Sequence, residues 1–156
     1  MFRNGFDFKV NDSILLDQNG RYIILDLTVY EQCLTLVCLY LYGYNTDKPE
    51  LFSEILQKSA GFANTSFLFC GDCNVVQNKS DDTYNVIHDR NQKARRKIEA
   101  LKETFELLDP WRTCYTVDKK FTWRQTSPIK AKQNLLLSCL RRHFVSHGVY
   151  QNNSRL

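Results

Sequence analysis

Apolar and polar positions divide the chain into segments with two different periods. Arg21 to Tyr30 (RYIILDLTVY) and Cys33 to Tyr42 (CLTLVCLYLY) are rich in β-branched and aromatic residues. Joined by Glu31-Gln32, they predict an antiparallel hairpin, although the link lacks the Gly or Asn of a tight primed turn. The second run is apolar at nearly every position, the pattern of a central strand buried on both faces. Gly43 to Asp47 reads as a loop whose last residues cap a helix opened by Pro49. Leu51, Phe52, Ile55 and Leu56 give that helix one apolar stripe. Ser66 to Cys70 (SFLFC) is a short apolar strand, and Gly71 to Asp89 reads as a polar loop. A second helix is predicted from about Asn91 to Leu108. Its Ala94, Ile98, Leu101, Phe105 and Leu108 step by 4, 3, 4 and 3, and Pro110 closes it. Phe121 to Arg124 (FTWR) is another strand, preceded by a turn at Asp118-Lys119-Lys120. Strands thus alternate with helices while the first pair forms a hairpin. The predicted class is α/β, a mixed sheet covered by helices.

Composition narrows the class. A chain of 156 residues with 43% hydrophobic content is one domain by prior and globular, not disordered. Met1 to Val10 holds no uninterrupted apolar run, and no later stretch approaches a membrane span, so an intracellular protein, nuclear or cytoplasmic, is expected, with no membrane partner. Nothing in the pattern points to an oligomer. The six cysteines sit mostly inside apolar runs, which favours buried reduced thiols over disulfides.

The net charge of +4 conceals an asymmetry. Residues 1–89 hold 6 Lys/Arg against 12 Asp/Glu, whereas residues 90–156 hold 15 against 5. Such a distribution can place a basic flank beside an acidic site, as nucleic-acid binding requires; a solvated helix face with a basic tail is the alternative. On the second helix, Arg95, Arg96, Lys97 and Lys102 occupy the polar face.

Gly71-Asp72-Cys73-Asn74 follows the short apolar strand directly. Asp72 can orient or deprotonate a water, and Asn74 can donate to a phosphate oxygen without adding negative charge, a pairing suited to phosphodiester hydrolysis. The competing reading is a strand-end turn in which both side chains cap the backbone.

Context bears on that choice. Asn19-Gly20-Arg21-Tyr22-Ile23-Ile24, Leu34-Thr35-Leu36-Val37 and Leu41-Tyr42-Gly43-Tyr44-Asn45 precede GDCNVV; Asp109-Pro110-Trp111-Arg112 and Phe121-Thr122-Trp123-Arg124 follow it. In order and spacing this series resembles the endonuclease/exonuclease/phosphatase (DNase I-like) superfamily, specifically the endonuclease domain of long interspersed retroelements. The resemblance runs from about Phe6 to about Lys130. It implies a four-layer α/β sandwich of mixed sheets that nicks DNA with Mg2+, of which this chain holds part. It further implies that Asp72 activates water and Asn74 holds the scissile phosphate. A Tyr, either Tyr42 or Tyr40, would contact the phosphate beside the Asn45 loop. Thr122, Trp123 and Arg124 would lie near the DNA edge, with a place in the core the alternative for Trp123.

The departures limit the activity expected. The family carries an Asn and a metal-binding Glu ahead of the segment matched by Phe6 to Val10, and an Arg-Leu-Asp motif and a Ser-Asp-His after the Thr-Trp strand; neither set has a counterpart here. Residues 1–130 therefore form the partial domain, and 131–156 a divergent tail, which a frameshift near Lys130 would explain. With the Glu and the Asp-His pair missing, the expectation is a catalytically impaired nuclease with magnesium binding in doubt. A non-catalytic nucleic-acid or protein-binding remnant, or a product without function, are the alternatives. His143 and His147 are spaced i, i+4 without the Glu of a zinc protease. Cys70 and Cys73 form a CxxC with no second ligand pair, at the end of a strand and not at the start of a helix.

Overall fold

In the computed structural model, residues 7–41, 48–62, 66–85, 91–118, 121, 123–126, 129–132 and 135–139 are described. Five strands form one mixed sheet: β1 (Phe8–Leu16), β2 (Tyr22–Val29), β3 (Gln32–Tyr40), β4 (Ser66–Asp72) and, last in the chain, β8 (Leu135–Cys139). Neighbours pair antiparallel except β3 and β4, which run parallel and are joined through α1 (Lys48–Ser59), a 3-10 turn at Ala60–Phe62 and a connecting segment. A parallel pair needs such a crossover, and a helix supplies it. Three shorter strands, β5 (Thr83–Tyr84), β6 (Trp123–Thr126) and β7 (Ile129–Lys132), form a second sheet in the order β5-β7-β6.

The hairpin expected at Tyr22–Tyr40 is present, with its turn one residue earlier than the sequence suggests. Val29 pairs with Gln32, so the loop is Tyr30-Glu31, and both residues take positive φ (44° and 68°). That is the primed geometry which matches strand twist, reached here without Gly or Asn. The expectation that this second strand is buried on both faces is corrected. β3 is central, but its burial alternates: Thr35, Val37 and Leu39 are buried, while Leu34, Leu36 and Cys38 are half-buried.

The alternation identifies the core. Tyr22 and Ile24 from β2, Val37 and Leu39 from β3, and Phe67 and Phe69 from β4 share one face. Onto it pack Leu51, Phe52 and Ile55 of α1 and Ala94, Ile98 and Leu101 of a later helix, α3 (Gln92–Thr104). All of these side chains are at most 5% exposed, so the stripe predicted on α1 and the Ala94, Ile98 and Leu101 part of that predicted on the second helix are the ones used. β1 carries an irregularity between Val10 and Ile14, which pair with Leu27 and Leu25. Three residues of β1 there oppose one of β2. The excess is even, so Phe8, Val10, Ile14 and Leu16 all stay on the sheet's other face, where an excess of one would have reversed them.

Three further expectations change. Of the stretch from Gly71 to Asp89 expected as a loop, the described residues 71–85 hold regular structure: Asp72 ends β4, and a short helix, α2 (Lys79–Asp82), precedes β5. α3 stops at Thr104, short of Leu108. The amide of Glu106 donates to Glu103 O and that of Leu107 to Lys102 O, with Glu106 at φ 51°; this left-handed closure turns Leu107 into the core and leaves Leu108 exposed. Pro110 opens a new helix, α4 (Pro110–Cys114), with Asp109 as its N-cap accepting from Arg112 N at 3.0 Å. Leu135–Cys139, within the stretch that departs from the family pattern, pairs with β4 along Leu68 to Asp72.

Candidate functional site

β4 ends where the sheet's polar rim begins. Gly71 takes φ 137°, and a Cβ there would lie 1.8 Å from the carbonyl oxygen of Leu39. Only glycine allows β4 to run this close to β3 at that point. The close approach sets the backbone of the next three residues.

Asp72 follows, half-buried, and its carbonyl accepts from the amide of Leu41 at 2.8 Å. Its side-chain Oδ1 accepts from the Asn74 amide at 2.9 Å. Asn74 itself has φ 47°, a left-handed conformation that Asn tolerates better than most side chains. Its Nδ2 donates to Leu41 O at 2.5 Å. From the other side, Nδ2 of Asn91 donates to Asn74 O at 3.3 Å. Asn91 occupies the N-cap position of α3 yet makes no side-chain cap bond to it; it anchors the loop. One turn later Arg95 Nε donates to Val76 O at 2.9 Å. Cys73, Val75 and Val76 are buried between these ties. The pair Asp72 and Asn74 is thus held in one geometry from three elements, and the backbone-capping reading of the motif describes contacts that are present. Those contacts serve equally to preorganise a carboxylate and an amide at a strand end.

Tyr40 is the register partner of Asp72 across the parallel pair, and it is 52% exposed. Tyr42, Asn45 and Thr122 lie outside the described residues. Arg124 sits on β6, opposite Ala131 of β7 in the small sheet. Sequence reasoning missed Leu41 O and Asn91. A backbone acceptor has no residue signature, and an Asn at a helix start reads first as a cap.

The Asp109-Pro110-Trp111-Arg112 motif has a structural explanation. Beyond the cap, Trp111 stacks on Tyr115 with centroids 4.2 Å apart. Arg112 forms an ion pair with Asp82, a buried carboxylate that also accepts from Asn78 N at 2.8 Å. That pair fastens α4 to α2 and forms part of a charged groove with Lys79, Arg95 and Lys102. Of the basic face predicted on α3, Arg96 and Lys97 are exposed, whereas Lys102 leans toward Glu99 at 3.8 Å.

Magnesium binds through oxygen ligands, keeping several waters and using carboxylates together with substrate phosphates. Among the described residues no group of three or more His, Cys, Asp or Glu is arranged to hold a metal ion. One oxygen of Asp72 is already engaged by the Asn74 amide. The described residues alone do not fit a resident magnesium ion. Among them, too, no helix is long and apolar enough to cross a membrane.

No family model and no curated protein matches the chain. Solved structures do match. An AP endonuclease from Archaeoglobus fulgidus superimposes with a TM-score of 0.58 at 12% identity, covering 84% of this chain and 59% of its own. The endonuclease domain of TRAS1, a telomere-specific non-LTR retrotransposon, gives 0.58 at 10% identity, over 88% and 57%. The 3′ phosphatase NExo from Neisseria, solved with a product DNA hairpin, gives 0.60 at 14%, over 84% and 59%. The chain therefore spans a little over half the length of each of these three.

Proposed function

We propose that this chain, whose fold is that of the DNase I-like endonuclease/exonuclease/phosphatase superfamily, is a segment of a magnesium-dependent, retroelement-type DNA endonuclease with impaired catalysis. The observation that carries the reading is the position of Asp72 and Asn74: locked two residues apart at the end of a sheet strand, in a fold shared with a retrotransposon endonuclease domain. In the proposed chemistry Asp72 orients the attacking water and accepts its proton, while the Asn74 amide holds a non-bridging phosphate oxygen. Tyr42, or Tyr40 beside Asp72, contacts the same phosphate; Asn45, Thr122 and Arg124 bind the DNA strand.

Impairment follows from cooperation. Groups that act as a unit lose nearly all their chemistry when a few are missing, and the sequence offers no counterpart of the family's Arg-Leu-Asp and Ser-Asp-His runs after the Thr-Trp strand. A non-catalytic nucleic-acid-binding role is the second reading. The excess of 15 basic over 5 acidic residues in 90–156 favours it, with Arg96 and Lys97 exposed.

Both readings require DNA binding, which fluorescence anisotropy of a labelled duplex oligonucleotide measures. The expected affinity falls about tenfold or more between about 50 and 200 mM salt, as counterion release dictates. No binding at the low-salt end, or an affinity indifferent to salt, would exclude both.

A further inference from the structure

The cysteine motif visible in the sequence, Cys70 with Cys73, is not the cysteine pair of the fold. Cys73 is buried, and its Sγ points at Val75 O, 3.7 Å away. Cys70 instead stands directly opposite Cys38 in the parallel register of β3 and β4. Their sulfurs are 3.3 Å apart. Both thiols are free and half-buried, and they lie on the sheet face away from the helices. Register-paired residues on adjacent strands have Cα atoms within the range that a disulfide spans, and their Cβ atoms leave the sheet on the same side. The next register pair toward the strand ends on that face is Tyr40 with Asp72.

We propose that Cys38 and Cys70 are a redox modification site, closing reversibly to a cross-strand disulfide with small-molecule disulfides such as oxidised glutathione. One of the two cysteines, as its thiolate, attacks one sulfur of the oxidant, forming a mixed disulfide and releasing one thiolate. The other then loses its proton and attacks the protein sulfur of that mixed disulfide. The intramolecular bond forms, and the second thiolate departs. In net terms two protein thiols become one disulfide, and the oxidant becomes two thiols, so hydrogens and electrons balance. Burial, with Cys38 beside it, pushes the Cys70 thiol up to about 12. The bond would fasten β3 to β4 one register pair below Asp72, and its formation needs neither DNA nor magnesium.

The test uses the full chain with the exposed Cys33 and Cys114 replaced by Ser, treated with oxidised glutathione and quenched in acid. Mass spectrometry should show a loss of two hydrogens without a glutathione adduct. Proteolysis should yield one peptide pair linking Cys38 to Cys70, separated again by dithiothreitol, and the oxidised form should melt at a higher temperature than the reduced. Cys38→Ser should abolish the link and leave at most an adduct. A link to any other cysteine overturns the proposal. So does a stable glutathione adduct on Cys38 in the parent chain, or no loss of thiol content at all.

Discussion

At the scale of single residues, Gly71 decides whether the candidate site exists. A methyl group placed on it would overlap the Leu39 carbonyl at 1.8 Å, and its φ of 137° disfavours any L side chain. Gly71→Ala therefore forces β3 and β4 apart at the point where Asp72 begins. The expected cost is about 3 kcal/mol or more, since backbone strain and lost strand pairing coincide; urea unfolding followed by circular dichroism measures it. A loss below about 0.5 kcal/mol, the size of an ordinary surface change, would mean the close approach is not maintained in solution. Asn74 belongs to the same argument. Its left-handed backbone and its bond to Leu41 O explain why an amide side chain suits this position whether or not a phosphate ever reaches it.

Elements are where sequence and structure can be compared, and one connection has a pH signature. The turn between β1 and β2 is organised by Asp17. Its carboxylate accepts from the amides of Asn19 and Arg21 and pairs with the Arg21 guanidinium at 2.9 Å. The Arg21 side chain, more than any other contact, lowers Asp17 from its usual 3.8 to about 2. A carboxylate depressed in the folded state stabilises it fully above its unfolded value and loses that contribution as pH falls. The melting-temperature gap between the parent chain and Asp17→Asn should hold above about pH 4 and shrink towards about pH 2. A gap that stays constant across that window would remove Asp17 from the account.

Periodicity revealed the hairpin, α1, β4 and α3, because each has one long apolar stripe that meets the same core. It also stopped short of the elements that lack one. The polar Asn11-Asp12-Ser13 interrupts β1 at its irregularity, and α2 is four residues of Lys, Ser and Asp held by an Asn78 cap. Pro110 served as a stop signal in the sequence, where proline at a first helical turn is just as natural a start. Leu108 fitted a helical stripe that ends earlier, since Glu106 accepts a left-handed turn that sequence pattern would assign to glycine. At the site, Asp72 and Asn74 were legible from their spacing after an apolar strand. The ties that fix them, Leu41 O and Asn91, depend on tertiary proximity and were not.

On the scale of the whole molecule, the sheet is covered unequally. One face lies under α1 and α3, while the other leaves Phe8, Val10, Ile14 and Leu16 between 39% and 65% exposed. The matched structures share this architecture over 84% to 88% of the chain but extend well beyond it. A core of this size is enough to set a strand-end aspartate and asparagine in place. A phosphodiesterase site also needs ligands that surround the phosphate from more than one direction. We infer an Asp72–Asn74 pair that is assembled at the strand end but catalytically impaired. Nicking of supercoiled plasmid in Mg2+, run side by side with the parent chain and Asp72→Ala, tests it most directly. The account predicts that the two convert supercoiled to relaxed DNA at indistinguishable, background rates. Rapid nicking by the parent chain that disappears in Asp72→Ala would contradict it.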